Sequence, residues 1–213
     1  MTYLQLINSV LRRLREDEVA TNSQSNYAKL IGDFVNETKR EVEDSWNWVQ
    51  LRDTIQVATV AGTFRYTLTG SGNRYRVLQV LNDTDDFELK LAPYKWMNEQ
   101  LTGSPQQTSP LYYDFNGNVS GDVNTDMYPI PDKEYLINYN MIIPQADFTD
   151  DGDELTVPSW PVILGAYAKA LSERGEDGGT QFAEAARMYS LAMSDAIAID
   201  AQKVPNETVW EAV

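Results

Sequence analysis

The chain has 213 residues, 32 of them acidic and 17 basic, giving a formal net charge of −15 with no histidine and no cysteine. These counts exclude a disulfide framework, thiolate or imidazole metal sites, a cysteine nucleophile and a Ser-His-Asp triad. The charge argues against wrapping duplex DNA, whose phosphates need cations, and against an anionic membrane surface.

Thr2 and Gln5 form a capping-box pattern ahead of Leu4, Ile7, Leu11 and Leu14, which recur at helical spacing with Val10 beside them. This start lacks the continuous apolar run of a signal peptide, and no stretch approaches the ~18 apolar residues of a membrane span. A soluble chain made in the cytoplasm is expected. After a connection over 16–22, with Ser23 and Ser25 as candidate caps, a stripe of Tyr27, Leu30, Ile31, Phe34, Val42 and Trp46 predicts a second helix to about residue 47.

From Leu51 the period changes to two. Ile55 and Val57, then Phe64, Tyr66 and Leu68 beyond Gly62, predict a hairpin. Further strands are expected around Tyr75–Leu81, Phe87–Leu91, Leu111–Phe115 and Tyr135–Ile143, with a short helix from Pro93 to Leu101. The Gly-, Asn- and Asp-rich stretch 116–126 reads as a long turn, and the prolines of Met127–Pro131 predict an edge strand. An acidic loop, 147–154, precedes a helix capped by Ser159 with Ile163, Ala166, Tyr167, Ala170 and Leu171 on its apolar face. Gly175 to Gly179 ends it. Thr180 then caps a last helix carrying Phe182, Ala186, Tyr189, Met193 and Ile197.

The expected class is α+β. A four-helix core from the N- and C-terminal helix pairs, 1–52 and 155–201, carries 53–154 as a β-rich antiparallel insertion, and 202–213 forms an extended tail. Charge is polarised: residues 1–52 hold 7 basic and 8 acidic groups (net −1), residues 53–140 hold 6 and 11 (net −5), and residues 141–213 hold 4 and 13 (net −9). Such asymmetry suggests different neighbours for the two ends.

Candidate sites are few. With Gly152 at position six of a calcium loop, Asp147, Asp151 and Asp153 fall on ligand positions, but Thr149 and Pro158 occupy positions three and twelve, so a solvated turn is the better reading. No phosphate loop and no serine-nucleophile motif is present. Glycosidases need only two carboxylates, and Glu99 near Trp96 and Asp114 between Tyr113 and Phe115 are candidates, set against an exposed helix end and an outward strand position. Arg12, Arg13 and Arg15 form the one basic cluster, either a solvated helix face or a contact for the acidic part of another copy. Trp46, Trp48 and Trp160 are expected as core anchors. Trp210 sits in a polar tail, either as a partner anchor or on a frayed end. No catalytic residue, cofactor or metal is expected.

Two helical blocks carry a resemblance. The segments MTYLQLINSVLRRLREDEV and YAKLIGDFVNETKREVEDSWNW, through Leu11, Arg12, Leu14, Ile31, Phe34, Val35, Val42, Glu43, Asp44, Trp46 and Trp48, resemble the head-to-tail adaptor proteins of short-tailed bacteriophages. LTVPSWPVILGAYAKAL and AARMYSLAMSDAIAID are similar to the C-terminal helix pair of phage connector proteins. The resemblance implies a non-enzymatic virion protein at the head–tail junction. It implies a ring, usually of twelve copies, that joins the portal to the tail and passes DNA through its channel without specific binding. It also implies a C-terminal arm clasping the portal, here Val204, Pro205, Val209, Trp210 and Val213; in such a ring the basic cluster Arg12, Arg13 and Arg15 is the expected subunit contact. Two alternatives stand beside it. One is a tail nozzle or tube protein one layer further down. The other is a carboxylate-dependent hydrolase of cell-wall glycan.

Overall fold

A computed structural model describes residues 1–176 and 180–203. The chain divides into two compact units, Met1–Leu51 with Gln145–Val213, and Arg52–Pro144.

The first unit is helical. Helix α1 (Tyr3–Arg13) starts on Thr2, and the capping box with Gln5 is formed in both directions. Its first N–H groups, which have no partner inside the helix, donate to the acidic loop: Tyr3 N to Asp153 O at 2.8 Å and Leu4 N to Asp151 O at 3.2 Å. Helix α2 (Asn26–Ser45) is capped by Ser25 and ends two residues earlier than its pattern predicts. A 3₁₀ turn, Val49–Leu51, follows.

After the β unit the chain returns through 145–157 to α4 (Ser159–Leu171), and α5 runs Thr180–Ala201. Pro158 rather than Ser159 occupies the N-cap of α4 and makes no side-chain bond, and Thr180 is already helical. Helix α4 is the centre of the unit, packing on α1, α2 and α5. Close approach needs Gly165: a β-carbon there would sit 2.4 Å from Thr38 Cγ2 of α2 and 3.0 Å from Tyr189 Cε2 of α5. Leu6, Ile7, Val10, Ile31, Val35, Val42, Val162 and Leu164 fill the core.

The return segment is held by charge. Lys39, fully buried on α2, donates to Gln145 O (3.1 Å) and Ala146 O (2.6 Å), lies 3.6 Å from the equally buried Glu43, and sits over the Phe148 ring. These bonds place residues 145–154 in the helical unit, so the boundary falls at 144/145 rather than at 154.

The second unit holds two four-stranded sheets. One has the order β1 (Arg52–Ala58), β8 (Leu136–Ile142), β3 (Arg76–Asn82), β4 (Phe87–Glu88), all antiparallel. The other has the order β2 (Arg65–Thr67), β7 (Asp122–Tyr128), β6 (Tyr112–Val119), β5 (Lys90–Leu91), with β5 and β6 parallel. Helix α3 (Tyr94–Leu101) packs on β6 and β7 through Trp96, whose ring lies 4.9 Å from Tyr112 and 5.7 Å from Tyr128. Both sheets feed one core that includes Val57, Val80, Tyr113, Met127, Ile137 and Tyr139.

Three expectations fail here. The strands on either side of Gly62 form no hairpin: β1 pairs with β8, and β2 pairs with β7 in the other sheet. Residues 116–126 are no long turn but most of the β6–β7 hairpin, closed by Ser120 and Gly121 at φ 53° and 93°. Met127 and Tyr128 end β7, an interior strand, and the prolines lie beyond its last rung. The polar residues of this hairpin pair across strands: Asn124 accepts from Thr67 Oγ1 at 2.8 Å, and Asp126 receives two bonds from Arg65 at 2.6 and 2.7 Å.

Candidate assembly surface

The three arginines at the end of α1 have different fates. Arg12 is committed within the chain, to Glu18 at 2.7 Å and Ser9 Oγ at 3.1 Å. Arg13 donates to Ser9 O at 2.9 Å and stacks its guanidinium 5.0 Å from the centre of the Trp160 ring. Burial, reinforced by neighbouring Arg12, pulls its pKa below the usual arginine range. Arg15 ends the helix in the left-handed region, at φ 60°; its side chain is exposed and has no ion pair among the described residues.

Arg13, Arg15 and Arg174 line a groove of about 600 Å³ together with Tyr167 of α4 and Met188 of α5. Arg174 is tied to Glu16 at 2.5 Å and Tyr27 at 2.8 Å. A second, more apolar pocket of about 260 Å³ lies between the start of α4 and the end of α5, lined by Trp160, Ala192, Ile199 and Lys203 among others.

The tryptophans separate. Trp48 is fully buried and donates to Val42 O at 2.6 Å; Trp46 is half-buried. Trp160 is not a core residue, as its position at a helix start suggests, but 51% exposed. With Pro158 at the N-cap and Pro161 in the first turn, its ring is left on the surface under Arg13. Val204, Pro205, Val209, Trp210 and Val213 lie outside the described residues.

The catalytic candidates do not converge. Glu99 is exposed on α3 beside a groove lined by Tyr94, Lys95, Asn98 and Thr102, with no contribution from Asp114. Asp114 is buried on β6, where its Oδ1 accepts from Phe115 N at 2.8 Å and its Oδ2 has no hydrogen-bond partner. Burial raises its carboxyl above the usual range; Asp126, opposite it, adds to the rise. The free oxygen of Asp114 is enclosed in the sheet, and the carboxylate of Asp126 opposite it is already bonded to Arg65 and Asn116. Three acids of the acidic loop are likewise engaged: Asp147 pairs with Arg40, Asp151 accepts from Asn22 N, and Asp153 accepts from Thr149 N and Asp150 N. Among the described residues no three Asp or Glu groups are placed to hold a metal ion, and no helix is long and apolar enough to cross a membrane.

The pockets beside α5 are lined by residues from α1, α4 and α5 that are far apart in sequence, which apolar periodicity along one helix does not bring together. No curated protein matches the chain. The family model described as SU10 adaptor protein matches residues 1–209, well beyond the two helical blocks that carried the resemblance to phage head-to-tail adaptors. The chain therefore belongs to the SU10 adaptor protein family.

Proposed function

We propose that this protein is the head-to-tail adaptor of a short-tailed phage virion, a structural protein that closes into a ring, of twelve copies by family analogy, between portal and tail. The observation that carries this reading is the family match over 1–209. In this reading the four long helices act as one packed core that builds the ring wall. Arg12, Arg13 and Arg15 contribute to contacts between subunits, and the C-terminal segment is an arm that reaches the portal, anchored by Val204, Pro205, Val209, Trp210 and Val213. A net charge of −15 per copy suits a bore that DNA passes without sticking.

The test is negative-stain imaging of the protein mixed with the portal of the same phage, beside each component alone. Rings that add one layer to the portal are expected, and removal of residues 203–213 should abolish that layer. No added layer, at a salt concentration where both components stay soluble, would overturn the portal-joining role.

A further inference from the structure

Helix α5 is apolar on two faces. Tyr189 and Met193 turn one face inward: Tyr189 reaches Glu41 of α2 and Met193 Sδ accepts from Ser45 Oγ. Around the helix, Met188, Leu191 and Ile199 form a second stripe, and they are 39%, 50% and 63% exposed. Of its 22 residues only Ala185, Ala192 and Asp200 are buried. Gln181, Glu184 and Asp195 lie among these side chains on the same face, but the large apolar groups still form an exposed patch of the kind that marks an interaction surface.

The surrounding surface continues the stripe. The helical unit exposes five large apolar side chains among its described residues, and four of them, Trp160, Met188, Leu191 and Ile199, are on or beside this face. Arg13 joins the two pockets, stacking on Trp160 in one and lining the other with Arg15 and Met188. The result is an apolar strip with Arg15 at its edge and the carboxylates of Glu184 and Asp195 along it.

The opposite charge is found at the far end of α1. The loop 147–154 is bonded to the first turn of that helix, while Arg15 follows its last turn, about 16 Å away at ~1.5 Å per residue. In that loop Asp150 and Glu154 are exposed, and neither side chain is engaged in an ion pair or hydrogen bond among the described residues. Opposite patches at two ends of one helix cannot meet within a subunit, but a heterologous, head-to-tail contact between successive copies can bring them together.

We propose that a second copy of this chain covers the exposed α5 face and Trp160, and presents Asp150 and Glu154 of its acidic loop to Arg15. The proposal rests on the ring reading and names both halves of the subunit interface.

Four full-length variants test it: Arg15→Glu, the pair Asp150→Lys with Glu154→Lys, Leu191→Asp, and Ile199→Asp. Each is checked for fold by circular dichroism, and assembly is read by native mass spectrometry, alone and with the portal. Either charge variant alone should associate about tenfold more weakly per interface, since like charges then face each other. An equimolar mixture of the two should restore rings of alternating composition. Ile199→Asp should fail in every mixture. If Leu191→Asp and Ile199→Asp assemble like the unaltered chain, the α5 face is not the interface. If the unaltered chain forms rings and the charge variants do so equally well without mixing, the head-to-tail pairing is wrong while the ring stands. If the unaltered chain forms no ring even with the portal, the ring reading itself falls, and this interface with it.

Discussion

In the helical unit the buried charges are matched, whereas in the β unit one is not. Lys39 meets Glu43 and two backbone carbonyls, and Asp200 accepts from Val49 N at 3.1 Å and Lys203 Nζ at 2.9 Å. Asp114 of the β unit keeps one carboxylate oxygen buried and unbonded. The helical unit spends its ions on fastening chain segments far apart in sequence, such as 39 to 145 and 49 to 200. The β unit closes its core with aromatic and aliphatic side chains and carries Asp114 as a cost. The units therefore differ in how acid affects them. Burial pushes Asp200 up, but its bonds to Lys203 and Val49 outweigh this and hold it below the usual carboxylate range. Its contribution is present above the unfolded pKa and lost as pH falls through the folded one. Asp114 is raised, so it favours the folded state in acid, and that contribution disappears as pH rises through its folded pKa.

The largest effect that can break this comparison comes from Lys39→Met. It removes the ammonium beside buried Glu43, which keeps only bonds such as that from Gln145 N, and the expected loss is about 3–5 kcal/mol. Hydrogen exchange should report the loss in 1–51 and 145–157, the segments the ammonium ties together. Lys39→Met with Glu43→Leu should recover part of it but not all, because Gln145 O and Ala146 O still lose their donor. Full recovery would mean that the carbonyl bonds contribute nothing. Next is Gly165→Ala, whose new methyl group would collide with Thr38 and Tyr189. Overpacking of this kind costs about 1–3 kcal/mol, read as a lower urea midpoint at unchanged slope. An unchanged midpoint would show that α4 can move away from its neighbours freely.

Asp114→Asn should act in the opposite direction. It keeps the acceptor for Phe115 N and removes the charge, so a gain of about 1 kcal/mol is expected at neutral pH, shrinking as pH falls and the native carboxyl protonates. Urea titrations at pH 7 and pH 4 check both the sign and the trend. A gain that is equal at both would show that the carboxyl is not raised in the folded state.

How much of this was legible follows from which forces are local. The capping box at Thr2, the stripe of α2 and the helical spacing of α4 are short-range patterns, and they recur in the structure with ends shifted by a residue or two. Strand partners are chosen by distant residues: nothing near Gly62 says that β1 belongs with β8 and β2 with β7. The β6–β7 hairpin was hidden by its own polarity, although Ser120-Gly121 is a two-residue turn signal that a reading less tied to apolar alternation could have used. Lys39 and Glu43 have the spacing of an ordinary surface pair; only Thr38 and Val42 beside them hint that this part of α2 is enclosed. Trp160 misled in the other direction, since a tryptophan between two prolines looks buried until the fold shows which side the helix turns to solvent.

The smallest expected effect gives the finest test of how α5 divides its two faces. Ile197 is half-buried and Ile199, two residues on, is 63% exposed. In a dilute single copy, Ile199→Ser should change stability by less than about 0.5 kcal/mol, as for surface sites without special features. Ile197→Ser should cost more, because its methyl groups leave a partly filled contact. Concentration then separates the readings. Thermal midpoints of Ile197→Ser should fall by the same amount at every protein concentration. Those of Ile199→Ser should match the unaltered chain when dilute and drop below it when concentrated, because only the unaltered chain gains stability by association. Equal midpoints for Ile199→Ser and the unaltered chain at all concentrations would mean that the exposed stripe of α5 meets no second copy in solution.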